Sequence, residues 1–347
     1  LSLRRQRQMC IIDRFIDNGE VIKFGHLVNA VPGSVAGLLK AHEAQGSLPL
    51  SSLLKPAIRL AKNGFEVTYD LNFVLEWGGE SMLVNKASRE KFYNKNEEPI
   101  GVRTLFKQPN LAKTLFMISK KGRDAFYKGE IAKWISEESL SSGGLITLND
   151  LASYEAKLRI PIETTYRGYR IITMPPAASG GLVLLQTLNI LENFDLKASG
   201  TNSAETVHIL SESMQRAFAD RVKFHGDPDF YDVPVKQMLN KQYAFDRAQS
   251  ISDNRTPNGE IFEGNLRQYD ESPDTTHFSI IDSKGNAVSN TYTLGSSFGS
   301  GVTIKKGGFL MNNQMRNFSH FYGQDGAEYG TSEANKLEPG KRMISTQ

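Results

Sequence analysis

The sequence predicts an α+β chain, helical through most of its length and turning to β near residue 275. Three observations carry this prediction. Apolar residues recur at three- and four-residue spacing in several stretches up to residue 222. Residues 252–272 then run through Asn, Gly, Pro, Glu and Asp with little periodicity, which marks a linker. Finally, residues 275–282 and 285–293 read as two strands joined at Ser283-Lys284-Gly285-Asn286, a favourable turn because glycine and asparagine tolerate positive φ.

Each element follows in order. After a short strand-like start, Val31-Pro32-Gly33-Ser34-Val35-Ala36-Gly37 leads into a helix through Leu38, Leu39 and His42. Residues 53–62 predict a second helix with Leu53, Leu54, Ala57, Ile58 and Ala61 on its apolar side, stopped by Asn63-Gly64. Helical character continues in residues 115–120 and 129–137, and Thr147 with Asp150 resembles a capped helix start. Tyr169-Arg170-Ile171-Ile172-Thr173-Met174 is a strand, and residues 175–181 form a loop feeding a helix over 182–193. Such a small-residue turn either binds an anion or is a close-packed connection. Residues 204–222 give a helix with Val207, Leu210, Met214 and Phe218 on one face, so that His208 beside them is structural. The linker over 252–272 is the place where a chain break costs least. Beyond the hairpin, β character resumes over residues 307–314.

Composition narrows the function class. The 347 residues, 39% hydrophobic, suffice for one large domain or two ordinary ones. Forty-one basic and 38 acidic residues leave a net charge of +3, no reason to expect nucleic acid as a partner. No apolar run reaches the roughly 18 residues of a membrane span. The single cysteine, Cys10, has no partner for a disulfide or a CxxC site. Dinucleotide, P-loop, HExxH and GxSxG motifs are absent. Asp227, Asp229 and Asp232 alternate without the spacing of a calcium loop and read as a solvated turn.

The chemistry concentrates at the start of the hairpin. If the bond between Asp274 and Thr275 is cut, Thr275 gains a free α-amine with a reference pKa of about 7.7–8.0 beside its own hydroxyl, so one residue supplies nucleophile and base. A turn centred on Lys284 sets Thr293 opposite Thr275, where Cβ atoms lie about 4.5–5.5 Å apart and one hydroxyl can orient the other. A slip of one residue would undo that pairing. Threonines also favour strands for reasons of packing alone. His277, two residues along, shares the face of Thr275 in a regular strand but has no visible acidic orienter.

The run Thr275-Thr276-His277-Phe278-Ser279 with Gly285-Asn286-Ala287-Val288 and Thr291-Tyr292-Thr293-Leu294 resembles the small-subunit start of γ-glutamyltranspeptidases. Val31-Pro32-Gly33, Pro56-Ala57-Ile58, Pro175-Pro176 with Ser179-Gly180-Gly181, Gly226-Asp227-Pro228, Asn312-Asn313-Gln314 and Pro339-Gly340-Lys341-Arg342 extend the likeness in order from about residue 22 onward. The resemblance implies an N-terminal nucleophile hydrolase, a four-layer αββα sandwich made as a precursor. Residues 1–274 would be its large-subunit portion and residues 275–347 its small-subunit portion, intertwined in one domain. It further implies self-cleavage between Asp274 and Thr275, an acyl-enzyme on Thr275, and transfer of a γ-glutamyl or glutaryl-like group to water or an amine, with no cofactor or metal. An extracellular or cell-envelope location is favoured on the same ground.

Residue by residue, Thr275 matches the family's nucleophile and Thr293 the threonine that supports it. Gln314 matches a residue near the substrate amine, and Ser345 and Thr346 match the hydroxyl pair on the substrate α-carboxylate. Two positions depart. Gly295 stands where the family often has asparagine, and Asn317 where it has an aspartate that pairs with the substrate α-ammonium. A neutral Asn317 loses that charge-assisted contact, so a donor without a free α-ammonium is expected. The poly-γ-glutamate depolymerase and glutaryl-cephalosporin acylase branches fit this pattern. The resemblance places the oxyanion-hole glycines after Gln347, and Asp13-Arg14 only approximates the family's Asp-x-Arg motif, so the chain ending at Gln347 is expected to lack turnover. The alternative from another class is a catalytically silent binding or scaffold member.

Overall fold

The computed structural model describes residues 16–17, 20–257, 260–261, 275–318, 333–335 and 340–341. Cys10, Asp13-Arg14, Asp274, Ser345 and Thr346 lie outside the described residues. The chain divides into two units, and each takes in sequence from both sides of Thr275.

One unit combines Ile22–Lys157 with Ser272–Arg316. Its helices Ser34–Gln45, Leu50–Asn63, Pro109–Tyr127 and Glu130–Ser141 arise where apolar residues recur at helical spacing. Ala36, Leu39, Ile118, Phe126, Ile131, Ile135 and Leu151 meet in a core completed by Val302, Ile304 and Met311 from the far end of the sequence. Each large side chain so buried contributes roughly 1.5–3 kcal/mol. Polar bonds reinforce the seam. Asn312 pairs with the backbone of Ala30 in both directions, accepting from its N–H at 3.0 Å and donating to its carbonyl at 2.9 Å. Ser88 Oγ donates to the Gly301 carbonyl at 2.6 Å, and Thr114 Oγ1 to that of Gly307 at 2.8 Å. Sequence after Thr275 is thus bound into sequence before it by contacts that do not depend on the peptide link between them.

The expected helix over 53–62 begins earlier, at Leu50, because Leu50 packs on that core. Its apolar side is narrower than predicted: Leu54, Ile58 and Ala61 turn inward, while Leu53 and Ala57 are exposed. Gly64, at φ 91°, ends the helix as expected. Thr147 and Asp150 form a full capping box, with the Thr147 N–H donating to Asp150 Oδ2 at 2.8 Å and the Asp150 N–H to Thr147 Oγ1 at 3.2 Å. Residues 307–314 are not a strand. Gly307 and Gly308 both donate to the Ile304 carbonyl, and Gly308 turns at φ 71°, which leaves a single bridge between Thr303 and Leu310.

The other unit comprises Leu1–Val21, Leu158–Glu271 and Asn317–Gln347. The strand predicted over Tyr169–Met174 forms over Tyr169–Thr173 and pairs with Ile162–Tyr166, a partner the sequence reading did not assign. Arg167 and Gly168 both turn at positive φ, the geometry a two-residue hairpin connection demands. The helix Ser179–Leu191 buries Leu182, Leu185 and Ile190. In its first turn a Cβ on Gly181 would overlap the Met174 carbonyl, and just ahead of it the Ala177 carbonyl oxygen lies 2.8 Å from His225 Nε2, so this entry to the helix is a close-packed connection.

The helix Ala204–Phe224 forms, but with a different face inward. Val207, Leu210 and Met214 are exposed, whereas Ile209, Glu212, Ser213, Arg216, Ala217 and Asp220 are buried. Burial of charge is tolerated because it is paired. Arg216 Nη1 donates to Glu212 Oε2 at 2.6 Å, Thr256 donates to the same carboxylate through its N–H and its hydroxyl, and Arg247 and Tyr243 both donate to Asp220. Apolar periodicity finds a face only when the inward residues are apolar. His208 is half-buried, with Nε2 2.8 Å from the Ser252 carbonyl oxygen, a structural contact as expected. Asp227 and Asp229 do not form a solvated turn: Arg159 bridges them at 3.2 Å and 2.6 Å, and Asp227 is buried, while Asp232 stays exposed.

Candidate active site

Strands Thr276–Ile281 and Ala287–Tyr292 form an antiparallel hairpin, and its register is symmetric about Lys284. Thr276 faces Tyr292, His277 faces Thr291 and Ile281 faces Ala287. The turn follows from its residues. The Asp282 carboxylate accepts from the N–H groups of Lys284 and Asn286 at 2.8 and 2.9 Å and from Asn286 Nδ2 at 2.8 Å, while Gly285 takes φ 80°. These bonds, the Asn286 side chain first, hold the Asp282 carboxyl below its ordinary pKa. Thr275 is exposed and directly precedes the first strand, and Thr293 is half-buried directly after the second. The ladder therefore ends one pair short of these two threonines, in the register that sets them against each other.

Beyond the hairpin the backbone turns sharply. Gly295 N–H donates to Thr293 Oγ1 at 2.9 Å, which fixes that hydroxyl as an acceptor on one side and leaves its proton for another partner. Gly295 sits at φ 101°, and a Cβ there would overlap Oδ1 of Asn313. An asparagine, which the family resemblance leads one to expect, has neither the backbone angle nor the room. Asn313 is fully buried and anchors the turn. Its Oδ1 accepts from Ser296 N–H at 3.0 Å, and its Nδ2 donates to Ser296 Oγ at 3.0 Å and to the Lys23 carbonyl at 3.1 Å. Arg316 Nη1 also donates to Ser296 Oγ, at 2.8 Å.

Gln314, buried at the start of the short 3₁₀ turn Gln314–Asn317, donates its N–H to Asn312 Oδ1 at 3.1 Å. Thr293, Gly295 and Gln314 thus share one backbone neighbourhood built on Asn312 and Asn313. Asn317 belongs to the other unit, where its carbonyl accepts from Asn335 Nδ2 at 2.6 Å. Asp274, Ser345 and Thr346 fall outside the described residues. The roles of Asn313, Ser296 and Arg316 were missed by sequence reasoning, although the run Asn312-Asn313-Gln314 was the available signal.

A sequence profile described as Gamma-glutamyltranspeptidase matches residues 10–347. The chain belongs to this family. Among curated relatives, the glutathione hydrolase proenzyme of Escherichia coli (strain K12) is 42% identical over 343 residues, covering 98% of this chain and 59% of that protein. The crystal structure of Helicobacter pylori gamma-glutamyltranspeptidase matches at TM-score 0.69 and 40% identity, over 71% of this chain and 72% of that one. The cephalosporin acylase of Bacillus halodurans matches at TM-score 0.81 and 28% identity, over 98% of this chain and 60% of that one. The chain therefore has the mixed helical and sheet fold of γ-glutamyltranspeptidases, and it spans 59% of the length of the E. coli relative. Among the described residues no helix is long and apolar enough to cross a membrane.

Proposed function

We propose that this γ-glutamyltranspeptidase homologue is a self-processing amidohydrolase and acyltransferase with Thr275 as its N-terminal nucleophile. In this reading the fold is the four-layer αββα sandwich of N-terminal nucleophile hydrolases, and residues 1–274 and 275–347 are portions of the large and small subunits. The observation that carries it is the hairpin register, which runs toward Thr275 and Thr293 as an opposed pair. Thr275 Oγ attacks the carbonyl carbon of Asp274, its proton passes to the departing Thr275 nitrogen, and water hydrolyses the resulting ester. The products are an Asp274 carboxylate and a free Thr275 amine. That amine then takes the proton of the same hydroxyl as it attacks an amide donor, giving an acyl-enzyme that water or an amine acceptor releases. Thr293, held by the Gly295 N–H, orients the attacking oxygen. The seam through Ala30 and Asn312 supports this scheme, because the two pieces stay joined after the bond is cut.

The neutral Asn317 favours glutaryl-like or internal poly-γ-glutamate donors over donors with a free α-amine. The test is electrophoresis and mass spectrometry of the purified full-length protein, with assay against a γ-glutamyl anilide, poly-γ-glutamate and a glutaryl-cephalosporin. Two fragments, the smaller beginning at Thr275, are expected, and Thr275→Ala is expected to remain one inactive chain. A processed, active Thr275→Ala protein sinks the assignment, and an intact wild-type chain favours a silent binding member.

A further inference from the structure

Side chains alternate along a strand, so the observed register puts Thr275, His277 and Ser279 on the same face as Ser289, Thr291 and Thr293. On that face the His277 ring is held at both nitrogens. Nδ1 lies 2.7 Å from Thr291 Oγ1, and Nε2 lies 3.1 Å from Ser279 Oγ and 3.2 Å from Ser289 Oγ. All three partners are hydroxyls, which donate or accept as required, so the arrangement is satisfied in either tautomer. Among the described residues no carboxylate bonds to this ring, the group that would orient it as a general base.

We infer that His277 is a positioning residue for Thr275, acting through the hydroxyls of Thr291, Ser279 and Ser289 and not on the substrate. The inference rests on the proposed role of Thr275 and explains how that role is secured. An isolated two-stranded hairpin is marginally stable, and a slip of one residue would turn Thr275 to the opposite face. The closed end is pinned by Asp282, far from the nucleophile. The open end is pinned by His277, which ties the two strands together one pair inside the last ladder pair, Thr276 and Tyr292.

The experiment compares full-length wild type with His277→Ala and His277→Asn. Asparagine keeps a donor and an acceptor but does not titrate. His277→Ala is expected to slow self-cleavage, and to lower kcat of the processed protein at unchanged KM, by about 10-fold or more, since small misplacements of a nucleophile are costly. His277→Asn is expected to recover most of both, with the shape of the kcat–pH profile the same in all three. Thr291→Val, which keeps the β-branch and removes the hydroxyl, is expected to give part of the alanine effect and serves if His277→Ala fails to fold. Wild-type rates in His277→Ala would overturn the inference, and so would an asparagine variant as slow as alanine that loses one limb of the pH profile. If wild type itself is never cleaved, the assignment of Thr275 fails separately. Amide exchange at Thr291 and Tyr292 then decides on the clamp alone: faster exchange in His277→Ala supports it, and unchanged exchange overturns it.

Discussion

Residues 276–292 and residues 293–316 adjoin in sequence but are held by opposite means. The hairpin is exposed on both faces apart from a half-buried Asn290, and its bonds are local: a turn gathered by Asp282 and cross-strand contacts of His277. The following stretch is mostly buried apart from the exposed Lys305 and Lys306, with Ser300, Val302, Thr303 and Ile304 at most 2% exposed, and its bonds reach back to Lys23, Ala30 and Ser88. The two threonines of the candidate site mark this junction. Under the proposed scheme, an exposed strand end suits the bond that Thr275 itself would cleave, and a rigid turn suits the group that would orient the attack. The contrast yields three predictions on the molecule itself, and the first falls on the rigid side.

Gly295→Ala is expected to have the largest effect. It forces an L side chain to φ 101° and drives its Cβ into Asn313 Oδ1. Asn313 cannot retreat, because three bonds to Ser296 and Lys23 hold it in a fully buried position. Backbone strain and overpacking together cost on the order of 3 kcal/mol. Urea denaturation should show a lowered midpoint at unchanged slope. A variant as stable as wild type would mean that the turn is as pliable as the hairpin, and the contrast would dissolve.

What could be seen in the sequence follows the same division. The hairpin turn, its register and the capping box at Thr147 were legible because each depends on residues a few positions apart. The helix Ala204–Phe224 was located but turned the wrong way, since its inward face carries Glu212, Arg216 and Asp220, whose partners at Thr256, Tyr243 and Arg247 lie far along the chain. Likewise, residues 307–314 have strand-like composition, yet the chain turns at Gly307 and Gly308, the latter at φ 71°, and only Leu310 makes a bridge. Around the candidate site, Thr275 and Thr293 were accessible to strand arithmetic. Asn313 was not, because its role consists of bonds to Lys23 and Ser296 that only the folded chain brings within reach.

Thr293→Val tests the junction itself. Valine preserves shape and β-branching but removes the oxygen that accepts from the Gly295 N–H. Losing one such bond costs about 1 kcal/mol of stability, a smaller change than at Gly295. If Thr293 also orients Thr275, kcat should fall by more than the stability loss accounts for, with KM little altered. A stability change without any change in kcat would leave Thr293 a purely structural member of the rigid side.

The smallest effect is expected at the exposed turn. Asp282 has its pKa lowered from the ordinary 3.8, chiefly by the Asn286 side chain and then by the N–H groups of Asn286 and Lys284. A carboxyl with a depressed folded-state pKa stabilises above its unfolded value, and that contribution disappears as pH falls through the folded value. Protection of the Lys284 and Asn286 amides, corrected for intrinsic exchange, should therefore hold above pH 3.8 and decline below it. Full exposure to solvent keeps the change small and confined to the turn. In Asp282→Asn the decline should vanish, because the side chain no longer titrates. An equal decline in both proteins would assign the pH response to the chain at large and remove Asp282 as the pin of the hairpin's closed end.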